Sequence, residues 1–126
     1  MAKILVADDA PAVLDVLREI LVQGGHEVVA ATSGAEAVRK FQESRPALAV
    51  LDIIMPDMDG LLVLDSIRRF NGDVPVIMIT GSLDGEAVAK RLTRYPAVSF
   101  FPKGSGLDCF VELVNKTLGI PGKAGS

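Results

Sequence analysis

Apolar residues along this chain fall into short unbroken blocks, and the stretches between the blocks repeat at helical spacing. "KILVAD" (3–8) is an apolar run with β-branched residues, closed by acids, and it reads as a buried strand. "EVVAA" (27–31), "ALAVLD" (47–52), "VPVIMIT" (74–80) and "AVSFF" (97–101) have the same character. Behind the first block, Pro11 suits the opening turn of a helix that carries Val13, Leu14, Leu17, Ile20 and Leu21 on one stripe, and Gly24-Gly25 stop it. Ser33 with Glu36 fits a capping box for a helix through Val38 and Phe41 that ends before Pro46. Gly60 leads into a helix bearing Leu61, Leu64 and Ile67. Asp84 can cap a helix through Val88 and Leu92, where the apolar stripe is weak. Ser105 with Asp108 looks like the cap of a last helix with Phe110, Leu113, Val114 and Leu118.

Five strands thus alternate with five helices. Strands that are apolar on both faces are covered on both faces. The pattern predicts a single α/β domain built on an open, doubly wound parallel sheet. We read residues 1–119 as the domain. The small, Gly-rich end, 120–126, reads as a flexible tail, a linker stub or a cloning remnant.

Composition narrows the function classes. No apolar run approaches the roughly 18–20 residues of a membrane span. The N-terminus lacks the longer apolar stretch and cleavage site of a signal peptide, so a cytoplasmic protein is expected. The net charge is −3 and no basic block occurs, which argues against direct nucleic-acid binding. The single Cys109 excludes an intrachain disulfide and is expected as a small buried hydrophobe. His26, on a loop after two glycines, is expected at the surface.

The chemistry gathers at strand ends, because ligands in such sheets bind outside the carboxyl ends of the strands. The first strand ends in Asp8 and Asp9, the third in Asp52 and the fourth in Thr80, and Lys103 follows the fifth. Three crowded carboxylates repel one another unless a cation joins them. A few hard oxygen ligands suit Mg²⁺, with Mn²⁺ fitting nearly as well. A metal site with open positions can take a phosphoryl oxygen. Lys103 adds a positive charge and Thr80 a hydroxyl donor for the same group. A carboxylate can attack phosphorus to give an acyl phosphate. Asp52, on a middle strand between the other groups, is the best placed acceptor. Asp57 and Asp59 are read as solvated turn acids.

"VADDAP", "LDIIMPDMDG", "MITG" and "FFPKG" together resemble the motifs of the receiver domain of bacterial response regulators, over about residues 3–118. The resemblance implies a flavodoxin-like fold with strand order 2-1-3-4-5. It implies Asp8 and Asp9 as magnesium-site acids, Asp52 as the phosphorylated residue and the backbone carbonyl of Ile54 as a further metal ligand. Thr80 would be the switch hydroxyl, Lys103 the phosphate-binding lysine and Phe100 the switch aromatic. The implied donor is a phosphohistidine on a sensor histidine kinase or a histidine phosphotransfer protein. The chain would assist its own phosphorylation and dephosphorylation without being an enzyme of the usual kind. The implied output is a downstream protein bound by the face of the fourth helix, fifth strand and fifth helix, and a phosphorylation-dependent homodimer stays open.

Four positions depart from the family pattern. Gly104 stands where a proline usually follows the lysine, so a trans bond or a glycine-adapted loop is expected, a cis bond without proline costing about 2.5–4 kcal/mol. Gly81 replaces the usual alanine after Thr80. Phe100 has no hydroxyl, so a switch there would work by burial. Ile54 cannot orient a hydrolytic water, which predicts slow dephosphorylation. Two other classes compete. One is a module of the same fold that is not phosphorylated. The other is a phosphatase or flavin carrier on a similar sheet, disfavoured by Ile54 in place of a second acid and by the acids of "DDAP".

Overall fold

Each apolar block becomes a strand and each striped stretch among the described residues becomes a helix. The computed structural model describes residues 2–53, 55, 57, 60–80, 97–102 and 106–119. Within them the chain runs β1 (Lys3–Ala7), α1 (Pro11–Gln23), β2 (Glu27–Ala31), α2 (Gly34–Ser44), β3 (Leu48–Asp52), α3 (Gly60–Phe70), β4 (Val76–Thr80), β5 (Val98–Pro102) and α4 (Leu107–Leu118). The strands form one five-stranded sheet in the order β2-β1-β3-β4-β5. Every neighbouring pair is parallel. This is the expected sheet, but four helices rather than five occur among the described residues. The helix expected from Asp84 lies outside them.

The period of two along each strand divides the core into two layers. On one face Ile4, Val6, Leu48, Val50, Ile77 and Ile79 pack against Leu14, Leu17 and Leu21 of α1 and Phe110 and Val114 of α4. On the other, Leu5, Ala7, Ala49, Leu51, Val76 and Met78 pack against Phe41 of α2 and Val63, Leu64 and Ile67 of α3. Phe110 is fully buried and meets Phe101 of β5 edge to face, with ring centroids 5.4 Å apart. Burying one such side chain contributes about 1.5–3 kcal/mol. No helix among the described residues is long and apolar enough to cross a membrane.

The helix ends follow local chemistry, with one correction. Pro11 opens α1 and Gly24 closes it. At α2 the Ser33 hydroxyl accepts from the Glu36 N–H at 3.2 Å. The Glu36 carboxylate reaches back to the Thr32 N–H at 2.7 Å, and that bond, first among several causes, holds its carboxyl below the usual range. Arg45 closes α2 in the left-handed region, φ 49°, directly before Pro46. The cap of α4 is Gly106, φ 94°, with no side-chain bond, and not the expected Ser105, which lies outside the described residues. Asp108 sits in the first turn of α4, where a negative charge meets the positive end of the helix dipole.

Candidate functional site

Adjacent parallel strands deliver consecutive strand ends to one edge. In the β1–β3 register Ala7 lies opposite Leu51, so Asp8 leaves β1 level with Asp52, the last residue of β3. Asp9 follows on the short connection to α1. One carboxylate oxygen from each of Asp8, Asp9 and Asp52 lies within 4.8 Å of the others. Asp8 is 0% and Asp52 3% exposed, whereas Asp9 faces solvent. Asp8 is oriented by the Ala10 N–H, which donates to its Oδ1 at 2.9 Å.

Three carboxylates this close, two of them buried, raise each other's energy when ionised. A divalent cation reverses that cost. The donor set is all hard oxygen, and Asp9 leaves the site open to solvent, so the residues present fit Mg²⁺ with water in its remaining positions. An open position on such an ion can take a phosphoryl oxygen.

The loop from β3 to α3 is anchored at several points. The Ile53 N–H donates to the Ile79 carbonyl at 3.3 Å, and the Gly60 N–H donates to the Ile53 carbonyl at 2.7 Å. A Cβ on Gly60 would stand 2.5 Å from the Asp52 carbonyl oxygen and 2.7 Å from the Ile53 Cα, so glycine is required for this close approach. Met55 turns inward and is buried in the α2/α3 layer. Asp57 is exposed, yet its carboxylate accepts from the Gly34 N–H at 2.8 Å and the Ala35 N–H at 3.0 Å, across the N-terminus of α2.

The other sequence-derived candidates divide. Thr80 is the last residue of β4, the strand beside β3, and pairs with Pro102 of β5. Phe100 lies opposite Met78 and is half-buried against the α2/α3 layer. Ile54 and Lys103 lie outside the described residues, as do Gly81, Gly104 and Asp59.

Three residues differ from expectation. Asp57 is not a merely solvated turn acid, because it caps a helix 22 residues earlier in the chain. His26 is not a surface residue. It is 8% exposed, and its Nδ1 accepts from the Ala2 N–H at 3.2 Å. Cys109 is exposed, not buried. It falls off the Phe110–Val114 stripe of α4, so the helical period carried the signal for it. Asp57 and His26 bond to partners more than 20 positions away, and no local pattern marks them.

Comparison with known proteins agrees with this fold. Residues 4–115 match the response regulator receiver domain family. The chain is 36% identical over 117 residues to the chemotaxis protein CheY of Bacillus subtilis, covering 92% of this chain and 97% of that protein. It is 44% identical over 78 residues to the transcriptional regulatory protein PrrA of Mycobacterium tuberculosis, covering 62% of this chain but 34% of that larger protein. Among solved structures, the receiver domain protein of Clostridium thermocellum superposes with a TM-score of 0.86 at 26% identity, over 94% of this chain and 95% of that one. The response regulator TrrA of Thermotoga maritima, solved in complex with Mg²⁺-BeF, superposes with a TM-score of 0.82 at 32% identity, over 93% and 99%. The chain belongs to the response regulator receiver domain family, and so to phosphorylation-based two-component signalling.

Proposed function

We propose that this receiver domain takes a phosphoryl group onto Asp52 and uses it to switch a protein-binding surface. The observation that carries this reading is the convergence of Asp8, Asp9 and Asp52 within 4.8 Å at one sheet edge, with Asp52 at the end of a central strand. In the step proposed, an Asp52 carboxylate oxygen attacks phosphorus of a phosphohistidine. The phosphorus–nitrogen bond breaks, and its electron pair leaves on the imidazole nitrogen. Asp8 and Asp9, with Asp52 itself and the Ile54 carbonyl, would hold Mg²⁺ or Mn²⁺. When bound, that ion would offset the negative charge gathering on the phosphoryl oxygens. Lys103 would bind one phosphoryl oxygen and the Thr80 hydroxyl another. Thr80 and Phe100 would then carry the change to the surface by a population shift between two states.

The proposed donor is a sensor histidine kinase or a histidine phosphotransfer protein, acting in the cytoplasm. The proposed reader is a protein that docks on the segment beyond β4 together with β5 and α4. The Mg²⁺-BeF complex of the Thermotoga maritima relative supports the metal part of this reading. The test is intact mass after incubation with Mg²⁺ and acetyl phosphate, for wild type and Asp52→Ala. One phosphoryl group gained by the wild type alone is the expected result. No gain by either, together with no binding of beryllofluoride, would instead support an interaction module that is not phosphorylated.

A further inference from the structure

The first turn of α2 exposes backbone N–H groups that no residue of its own helix can satisfy. The Ser33 hydroxyl takes the Glu36 N–H. The Gly34 and Ala35 N–H groups are taken by Asp57, one to each carboxylate oxygen, at 2.8 and 3.0 Å. Asp57 lies five residues beyond Asp52, in the loop between β3 and α3. The same loop is held at its far end by Gly60 against Ile53 and from within by buried Met55. Both carboxylate oxygens of Asp57 are thus held by α2, and the charge is matched to the positive end of a helix dipole. Asp57 is not among the carboxylates, Asp8, Asp9 and Asp52, that converge at the sheet edge.

From this we infer that Asp57 is a positioning residue for the metal site. Its grip on α2 fixes the path of the loop that leaves Asp52, and so fixes the oxygen geometry offered to the ion. Mg²⁺ tolerates little departure from its preferred octahedral geometry, so a loosened loop weakens binding even though no ligand has been removed. The inference rests on the metal reading proposed above.

The test is the Mg²⁺ dissociation constant, measured by isothermal titration calorimetry on the unphosphorylated chain, with urea unfolding run alongside. Asp57→Ala is expected to weaken Mg²⁺ binding roughly tenfold, the low end for groups that orient a metal site without touching the ion. Asp57→Asn removes the charge but keeps an amide oxygen that can accept one of the two bonds, and should stay within about threefold of wild type. Ser33→Ala uncaps the same helix without touching the loop. It should lower stability and leave Mg²⁺ affinity unchanged. Wild-type affinity in Asp57→Ala would overturn the inference. So would equal losses in the Ala and Asn variants, which would make Asp57 a distant charge and not a positioner. If the wild type itself bound no Mg²⁺, the metal reading would fall first, and the inference with it.

Discussion

The two edges of the sheet each bury titratable side chains, on opposite terms. At the carboxyl edge, Asp8 and Asp52 are buried beside each other and beside Asp9, three groups of like charge within 4.8 Å. At the amino edge, His26 is buried just before β2, and its Nδ1 accepts from the Ala2 N–H. An imidazole can stay neutral, and this one has its acceptor matched, so its burial ties the start of β1 to the α1–β2 turn at little cost. The aspartates gain nothing comparable from one another. Burial of a polar group therefore does not mark a site by itself. Burial among like charges, at the edge where parallel strands end, does.

The largest expected effect concerns the backbone beneath the acids. Gly60→Ala should destabilise the chain by about 1–3 kcal/mol, because the added Cβ meets backbone atoms that cannot turn aside. It should also abolish phosphorylation. Gly72, where a Cβ would meet nothing within 4 Å, supplies the control, and Gly72→Ala should be close to neutral. Urea unfolding of the two variants decides, and equal midpoints would show that the Asp52 loop tolerates a shift.

A smaller effect, of opposite sign, sharpens the contrast between the edges. In metal-free buffer Asp52→Asn should stabilise the chain by about 0.5–2 kcal/mol, since one of three crowded charges is removed. A loss of stability would mean that the acids are not strained against one another.

The smallest effect lies at the amino edge. Burial, and after it the positive charge of the chain N-terminus, lower the His26 pKa below 6.5. The unfolded chain then binds the extra proton first. The stability that neutral His26 provides is complete above pH 6.5 and declines as pH falls towards the folded value. His26→Gln keeps an acceptor for Ala2 and does not titrate. Between about pH 7 and pH 5.5, wild type should lose more unfolding free energy than this variant. Parallel slopes would remove His26 from the comparison.

The sequence showed the carboxyl edge far better than the amino edge. Strands buried on both faces write themselves as unbroken apolar blocks, and Asp8, Asp9 and Asp52 stand where those blocks stop. Position in the chain alone therefore placed them together, once the sheet was taken as parallel. His26 gave no such sign. It lines a cavity with Leu21 of α1 and Val114 of α4, and its bond partner Ala2 is 24 positions away. Asp57 was hidden for the same reason, since its partners on α2 are near only after β1 and β3 have paired. The α4 cap was misplaced by one residue, because Ser105 offered a side chain but Gly106 carries the backbone turn.

The central claim is that the buried acid at the end of β3 receives the phosphoryl group. The most direct measurement is borohydride reduction of the chain after phosphorylation with acetyl phosphate and Mg²⁺, followed by peptide mass mapping. An acyl phosphate reduces to an alcohol, so homoserine at position 52, and at no other position, is the expected result. Homoserine at position 8, 9 or 57, or a phosphoryl group that survives on a hydroxyl side chain, would contradict it.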